Sequence, residues 1–427
     1  MSSRKLVRLE GRVRDVVSSG DAVIETAEGV VFARGGLPGE RVTVALEPSR
    51  GRVRRAHVVD VLDPSDQRVT PPCEYATRCG GCALMHASPS AQRALRTRFL
   101  REALIKGGAQ EELEVAISES EDRLGYRRRA RLAFAVQGKS ARLGFHRERS
   151  RDLVDVARCV VLTDALGDAL ARVRTTLLPH LLGDGELSLA QGVDGKPVVV
   201  VHASAAQPPA LYAACEALLG EGVAGVALYV GGLPKPAVFG DPREWTEAPD
   251  GGALAGTVGG FSQAHAAINR RLASRVAELA RTDGMRVLEL YAGSGNLSVL
   301  LARGAASYTA VEQAPEAVRA LRENLAARGL GAKVVEGDVE KALAGGPLDV
   351  VVLDPPRTGA PGVLGQLLAR KPKRIVYVSC DPATLGRDVG SVLGRGYRVA
   401  HAEVFEMFPQ TADLEGLVLL EAVGRAG

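Results

Sequence analysis

The stretch VLELYAGSGNLSVLLA, residues 287–302, gives the clearest indication of how the last third of the chain folds. It begins as a short apolar run, passes through the loop Gly293-Ser294-Gly295-Asn296 and continues as a second apolar segment. Glycine permits a tight turn and close approach of a ligand, and the first turn of a helix leaves N–H groups free. The pattern predicts a buried strand, a ligand-binding loop and a helix.

Further apolar runs of strand length follow and alternate with helical segments. They are YTAVEQ (308–313), KVVEGD (333–338), LDVVVLDPPR (348–357), RIVYVSCDP (374–382), YRVAHAEVF (397–405) and LVLLEAV (417–423). Continuous apolar strands separated by helices indicate a mostly parallel sheet covered on both faces. The sequence therefore predicts a doubly wound, Rossmann-like α/β domain over residues 261–427.

Two other regions precede this domain. Residues 5–62 contain short alternating runs with glycine turns, which favour a small OB-like β-barrel, and the proline-rich DPSDQRVTPPC places a boundary near Asp63. Beyond it we predict a helix over residues 90–106 and a β-hairpin with one apolar and one basic face. The predicted division is 1–63 (barrel), 64–260 (central α+β domain) and 261–427.

Composition limits the classes of protein that the chain can belong to. Of its 427 residues 46% are hydrophobic and 24% charged, which indicates a globular protein. No apolar run approaches the ~18 residues of a membrane helix, and the start lacks a secretory signal, so we expect a cytoplasmic protein without a membrane partner. The net charge is +4, and the basic residues are concentrated in the first 150 positions, which indicates an anionic partner.

Polar residues end several of the predicted strands. Glu312, Asp338, Asp354 and Cys380 each follow such a run. Ligands of open α/β sheets bind beyond the carboxyl ends of the strands, so these side chains are expected to line one crevice. Glu312 has the position of a carboxylate that accepts hydrogen bonds from ribose hydroxyls, which predicts a nucleotide-like cofactor.

Cys380 lies between Ser379 and Asp381, which are poor neighbours for a core residue. A thiolate that adds to C6 of uracil turns C5 into a nucleophilic enolate carbon, and a base must then remove the C5 proton after alkylation. Glu415, which precedes the last strand, is the candidate base. The alternatives are a buried, inert thiol and a solvated carboxylate.

The motifs LDPPR, VSCDP and FPQTADLE, in this order, resemble the RNA uridine C5-methyltransferase family, whose methyl donor is S-adenosylmethionine. The resemblance extends over nearly the whole chain, and the barrel looks like the TRAM domain of larger members. It implies that Cys380 is the nucleophile and Glu415 the proton acceptor. The residues that it implies for S-adenosylmethionine binding are Gln263, Tyr291, Asn296, Glu312, Asp338 and Asp354.

The other cysteines suggest a metal site. Cys73, Cys79 and Cys82 form a C-x5-C-G-G-C pattern, and Cys159 is available as a fourth ligand, whereas Cys215 lies in an apolar helical stretch. Four cysteinates suit zinc or an iron–sulfur cluster, and spacing does not choose between them. Resemblance to the TRAM-containing members implies a [4Fe-4S] cluster with a structural or RNA-positioning role.

The expected partner is RNA. Residues 123–151 and the segment SRGRVRRAH (49–57) form two arginine-rich surfaces that suit phosphates. A uridine must be unpaired or flipped out to reach a recessed thiol. Resemblance to cluster-containing members implies 23S rRNA as the target. Alternatives are tRNA methylation, a non-catalytic RNA-binding protein and a redox protein; no obligate protein partner is evident.

Overall fold

The computed structural model describes residues 7–48, 53–138 and 140–423, with the side chain of residue 341 excepted. The N-terminal β-barrel is confirmed: its strands close in the order β1-β2-β3-β5-β4. Their bounds are β1 Arg8–Val16, β2 Ala22–Thr26, β3 Gly29–Arg34, β4 Arg41–Leu46 and β5 Arg55–Asp63. Val13, Ile24 and Val42 fill its interior. Residues 1–6 and 49–52, on which parts of the barrel and RNA-surface predictions fall, lie outside the described residues.

Helix α1 (Pro89–Lys106) agrees with the predicted helix. Ser88 caps it by accepting a hydrogen bond from the Ala91 N–H, and Pro89 has a fixed φ that suits the first turn. A short strand, β6 (Ala116–Ser118), follows. It joins the edge of the C-terminal sheet beside the last strands of the chain. The division at residue 260 stays a prediction, since this sheet takes one strand from residues 64–260.

The central region contains a seven-stranded sheet in the order β13-β12-β11-β10-β7-β8-β9. The predicted hairpin is its β7 and β8, with Leu132, Phe134 and Leu143 buried and Arg131 exposed; residue 139 of its turn lies outside the described residues. The strands are β7 Arg129–Gln137, β8 Ser140–His146, β9 Leu153–Asp155, β10 Gly183–Gln191, β11 Pro197–Ala203, β12 Gly225–Val230 and β13 Ala237–Gly240. Helices α2 (Asp164–Arg172) and α3 (Pro209–Gly220) cover it, and β14 (Trp245–Glu247) pairs with β15 (Ala253–Ala255).

The C-terminal domain has the predicted Rossmann-like sheet, in the order β18-β17-β16-β19-β20-β22-β21-β6. Strands β16 to β20 are parallel, and β22 is antiparallel to both neighbours. The strands are β16 Arg286–Leu290, β17 Ser307–Glu312, β18 Lys333–Glu336, β19 Val350–Leu353, β20 Arg374–Ser379, β21 Tyr397–Phe405 and β22 Glu415–Ala422. The helices are α4 Ala266–Ala280, α5 Ser298–Leu301, α6 Pro315–Ala326, α7 Val339–Ala342, α8 Val363–Leu367 and α9 Pro382–Gly390.

Apolar side chains cover both faces of this sheet. On one face a continuous core joins the barrel, α1, α8 and α9, and on the other face α4 and α6 pack against the strands. Helix α1 therefore packs against the C-terminal sheet, and the barrel packs in the same core. In the described ranges no helix has the length and apolarity that a membrane crossing requires.

The contact between α1 and α9 depends on glycine. A Cβ atom at Gly386 would lie 2.2 Å from the carbonyl oxygen of Ala103, so one helix would have to move. We expect Gly386→Ala to lower the free energy of unfolding by about 1–3 kcal/mol, measured by thermal melting. The control is Gly167→Ala in α2, where a Cβ meets no atom within 4 Å; it should stabilise the protein by up to about 1 kcal/mol. Equal melting temperatures for Gly386→Ala and the wild type would contradict this packing.

Candidate active site

The register of the sheet brings the predicted site residues to one edge. Leu290, Val311, Leu353 and Tyr377 lie side by side on β16, β17, β19 and β20. Tyr291, Glu312 and Asp354 end or directly follow these strands, and Cys380 lies three residues beyond Tyr377. The chain order reverses between β16 and β19, which is where open α/β sheets bind their ligands.

Cys380 and Glu415 come together through the antiparallel pairing of β20 with β22. The last pair of this ladder is Ser379 with Gly416, so Cys380 and Glu415 are the next residues on the two strands and face each other across them. Glu415 is only 3% exposed, which excludes the solvated turn carboxylate that was the alternative for this residue. Cys380 is half-buried and keeps access to the crevice.

The electrostatics of this pair are dominated by burial and by a third acid. Burial, and then the negative charges of Glu415 and Asp354, raise the pKa of the Cys380 thiol to about 11. Burial, and then the charge of Asp354, raise the pKa of Glu415 well above its ordinary value. Burial also raises the pKa of Asp354 to about 7. Burial and the neighbouring carboxylates therefore favour the protonated form of the Cys380 thiol.

One arginine opposes this effect. The positive charge of Arg357, in the LDPPR motif, lowers the pKa of Cys380 and so favours the thiolate. It also pairs with Asp413 at 3.2 Å while its side chain is 71% exposed. Helix α9 begins at Pro382 directly after the thiol, with the Asp381 carboxylate accepting from the Thr384 N–H. The exposed guanidinium of Arg357 and the N-terminus of α9 therefore both lie near the Cys380 sulfur.

These charges give a testable pH dependence for alkylation of Cys380 by iodoacetamide. Because the pKa of the thiol is raised to about 11, its thiolate fraction should rise about tenfold per pH unit from pH 7 to 9 without a plateau. Mass spectrometry of the Cys380 peptide measures the rate. Arg357→Gln should slow it roughly two- to fivefold, because an exposed cation acts weakly, whereas exposed Arg395→Gln should not. A plateau near pH 7 would contradict the raised pKa.

The cofactor side of the crevice is formed by β16, β17 and the glycine loop. Each oxygen of the Glu312 carboxylate accepts from the main chain: Oε2 from Gly293 N–H at 2.9 Å, and Oε1 from the N–H groups of Gln313 and Ala314 at 2.8 Å. Gly293 has φ +55°, and a side chain there would project into open space. The loop is thus fixed to Glu312 while the space above it stays free for a ligand.

Two further predicted residues have features typical of ligand sites. The Oε1 atom of Gln263 is buried without a hydrogen-bond partner in the described structure. Such an acceptor is costly unless a donor reaches it. Tyr291 has φ +61°, a conformation that is rare for a bulky residue and is concentrated at functional sites. Together with the glycine loop, these residues have features that are typical of a ligand site at the position that the sequence predicts.

Asn296 and Asp338, two of the other residues predicted to bind the cofactor, form hydrogen bonds within the protein. The amide of Asn296 forms a reciprocal pair with that of Asn269, with both hydrogen bonds at 2.8 Å. The exposed Asp338 caps α7 by accepting from the Glu340 N–H. Glu289 on β16 is 2% exposed and accepts hydrogen bonds from Ser298 and Tyr308. These two hydrogen bonds connect α5 and β17 to β16 beneath the glycine loop. Burial raises the pKa of Glu289 to about 7.

The four predicted cysteine ligands line one apolar cavity of about 30 Å³: Cys73, Cys79, Cys82 and Cys159. Burial, and then the other cysteines, raise the pKa of Cys82 to about 12. Within the described ranges no group of three or more His, Cys, Asp or Glu side chains is arranged to hold a metal ion. Cys215 is fully buried in the core of the central sheet, as predicted.

The sequence missed how residues 120–128 hold the site together. The Tyr126 hydroxyl donates to the Pro409 carbonyl at 2.9 Å, and the Arg128 N–H donates to the Ala264 carbonyl at 2.9 Å. Arg123, assigned from sequence to the RNA surface, is 16% exposed and pairs with Glu406. The segment thus connects the residues next to Gln263 with the loop that precedes Glu415. In sequence it shows only a run of arginines.

Comparison with known proteins shows first the class of protein to which the fold belongs. A family model described as tRNA (Uracil-5-)-methyltransferase matches residues 342–423, and one described as Conserved hypothetical protein 95 matches residues 272–377. The structure of Pyrococcus abyssi tRNA (uracil-54, C5)-methyltransferase in complex with S-adenosyl-L-homocysteine aligns with a TM-score of 0.75 and 21% identity, over 96% of this chain and 100% of that one. That likeness shows the fold, which is Rossmann-like and typical of methyltransferases.

Sequence relatives define the family. The 23S rRNA (uracil(1939)-C(5))-methyltransferase RlmD of Chromohalobacter salexigens is 36% identical over 415 residues, which cover 91% of this chain and 84% of the relative. The RlmD of Alkalilimnicola ehrlichii is 34% identical over 419 residues, which cover 94% of each. The chain belongs to the RlmD family of S-adenosylmethionine-dependent RNA (uracil-C5)-methyltransferases. The family predicted from LDPPR, VSCDP and FPQTADLE is confirmed.

Proposed function

We propose that this protein methylates C5 of one uridine in 23S rRNA, with Cys380 as nucleophile and Glu415 as base. The observation that carries the assignment of these roles is the placement of a half-buried thiol opposite a buried carboxylate at the ligand-binding edge of the sheet. The target is supported by the relatives, which are named for uracil 1939 of 23S rRNA. Neither residue would be needed at this edge by a protein that only binds RNA.

The proposed chemistry follows from these side chains. S-adenosylmethionine supplies an electrophilic methyl group, and Gln263, Tyr291, Asn296, Glu312, Asp338 and Asp354 are the residues proposed to hold it. The Cys380 thiolate adds to C6 of uracil, which places a pair of electrons on C5 for attack on the methyl carbon, and the methyl–sulfonium bond breaks with S-adenosylhomocysteine as the leaving group. Glu415 then accepts the C5 proton, the C5–C6 double bond reforms and the C6–S bond breaks, which returns the thiolate.

The thiol of Cys380 must lose its proton for this cycle, because its pKa is raised to about 11 and it is mostly protonated at pH 7. The raised pKa of Glu415 makes its carboxylate a stronger proton acceptor. Arg357 and the start of α9 stabilise the thiolate. The thiol proton must be lost before addition, and the carboxylate of Asp354, whose charge raises the pKa of Cys380, is a nearby acceptor that leaves Glu415 free for the C5 proton.

The RNA-binding surface is proposed at the junction of the barrel with the central region. A cavity of about 480 Å³ lies there. It is lined by Arg34 of the barrel, by Gly80 between Cys79 and Cys82, by Arg131 of β7, and by Arg147 and Arg149, which follow β8. Arginine is suited to phosphate because its planar fork donates in two parallel directions. The predicted domains thus have separate roles, in which residues 1–63 and 64–260 hold RNA and residues 261–427 perform the transfer.

We also propose a [4Fe-4S] cluster on the four cysteines that line the apolar cavity. Each cysteine of such a cluster binds a different iron atom, so its sulfurs lie further apart than around a single zinc ion. The proposal is supported by the four cysteines that line one cavity together with apolar side chains. Anaerobically purified protein should contain about four iron and four sulfide per chain; one zinc and no sulfide would overturn the assignment.

Methyl transfer to defined RNAs tests the proposed function. The protein is incubated with labelled S-adenosylmethionine and either unmodified 23S rRNA or a pool of unmodified tRNA, and the methylated nucleoside is identified and mapped by mass spectrometry. We expect a single 5-methyluridine in 23S rRNA. Methylation of tRNA alone would favour the tRNA alternative, and methylation at an atom other than C5 would overturn the assigned chemistry.

A further inference from the structure

A fully buried arginine holds the segment that leads to Glu415. Arg96 of α1 has 0% exposure, and its guanidinium donates to three main-chain carbonyl oxygens of one loop. They belong to Asp413 at 3.1 Å, Phe408 at 3.0 Å and Thr411 at 2.7 Å. A side chain with fixed donors on three carbonyls of one loop restricts that loop to a single conformation.

The charge of Arg96 is balanced within the same loop. Its Nη1 donates to Oε1 of Glu406 at 3.0 Å, and Glu406 also pairs with Arg93 and Arg123. Although burial raises the pKa of Glu406, the arginines and the Ser120 N–H lower it below its ordinary value. Burial lowers the pKa of Arg96 only to about 10. Both groups are therefore charged at neutral pH, and each depends on the other, because an unpaired buried charge is costly.

The loop connects β21, which ends at Phe405, with β22, which begins at Glu415. Its Gln410 has φ +74°, and the amide of Gln92 on α1 accepts the Gln410 N–H at 3.0 Å while donating to the Gln410 side chain at 3.0 Å. Asp413, whose carbonyl Arg96 holds, is two residues before Glu415. A shift of this loop would move the Glu415 carboxylate relative to Cys380.

We propose that Arg96 is a positioning residue that holds the carboxylate of Glu415 where it can remove the C5 proton. The inference rests on the proposed function and goes beyond it, because Arg96 is remote in sequence and acts through the loop of residues 406–413. Misplacement of a reacting group by about 1 Å can cost about 100-fold in rate. Attack by Cys380, which is carried by β20, should be less affected than proton removal.

The experiment compares Arg96→Met and Arg96→Lys with the wild type and with Glu415→Gln, using 23S rRNA and S-adenosylmethionine. For Arg96→Met we expect kcat to fall about 100-fold, with RNA and cofactor affinities within about twofold of wild type, and a covalent protein–RNA adduct that persists on denaturing gels. Arg96→Lys should restore part of kcat and show less adduct, because one ammonium keeps the charge and some of the donors.

Arg101→Gln is the matched control. Arg101 lies on the same helix and donates to the carbonyls of Glu111 and Leu113, not to the 406–413 loop. It should leave kcat and adduct at wild-type levels. Thermal melting establishes which variants are folded.

Each outcome decides the proposal. If the wild type transfers no methyl group to RNA, the proposed function itself fails. If the wild type and Glu415→Gln behave as expected but folded Arg96→Met turns over normally, or loses turnover without adduct, the positioning role is overturned.

If neither Arg96 variant folds, Arg123→Gln decides, because Arg123 pairs with Glu406 and Gln92 in the same network and is partly exposed. Adduct in that variant supports the proposal, and its absence overturns it.

Discussion

Cys380→Ala should lose methyl transfer by roughly 10⁴-fold or more while it still binds S-adenosylmethionine. Without a sulfur to add at C6, C5 of uracil stays a poor nucleophile, and the rest of the crevice can only bind the reactants. The residues proposed for the cofactor lie before α4 and at or beyond the ends of β16 to β19, so most of their contacts are made without this side chain. Single-turnover transfer measures the loss, and calorimetric titration with the cofactor measures retained binding.

Two controls separate the nucleophile from general effects of losing a thiol. Cys215→Ala removes a fully buried thiol in the central core and should keep its turnover even if it melts earlier. Cys380→Ser should be as inactive as the alanine variant, since a hydroxyl is a far weaker nucleophile near neutral pH. Wild-type activity in Cys380→Ala would rule out the covalent mechanism.

Glu415→Gln should trap the enzyme on its RNA. The amide keeps the shape of the side chain but accepts no proton, so C5 keeps both its hydrogen and its new methyl group and the thiol cannot leave. Loss of a general base costs about 10²- to 10⁴-fold in turnover. We expect about one equivalent of covalently bound, methylated RNA, visible as a shifted band on a denaturing gel.

The matched control is Glu421→Gln at the far end of the same strand, where the carboxylate pairs with Arg398 at the surface. It should turn over normally without adduct. A double variant, Cys380→Ala with Glu415→Gln, should form no adduct, because the bond is to that sulfur. An inactive Glu415→Gln protein without adduct would show that Glu415 acts before or during the attack of Cys380 and would contradict its role as the later base.

Much of the fold was predictable because its signals are local. Continuous apolar runs such as residues 350–353, repeated between helical segments, indicate strands buried on both faces, and the alternation at residues 130–134 indicates a strand with one buried face. The polar residues that end such strands share an edge in any parallel sheet, so Glu312, Asp354 and Cys380 could be grouped without coordinates. The prediction of Glu415 as the base came instead from the family motif FPQTADLE.

Contacts between distant segments were not predictable in this way. No local pattern places β22 between β20 and β21 or adds β6 to the sheet. Likewise, an arginine at position 96 looks like any charge on a helix, and only the packing of α1 against the 406–413 loop buries it.

The family, the N-terminal barrel, the Rossmann-like sheet and the edge of that sheet where polar residues meet could thus be inferred from hydrophobic periodicity and short motifs, which also predict Cys380 as nucleophile and Glu415 as base. The folded chain was needed to show that Cys380 faces Glu415 across two antiparallel strands and that the buried guanidinium of Arg96 holds the loop before Glu415. Strand register and the pairing of buried charges depend on residues far apart in the sequence, such as Arg96 and Glu406, whose mutual burial no local pattern records.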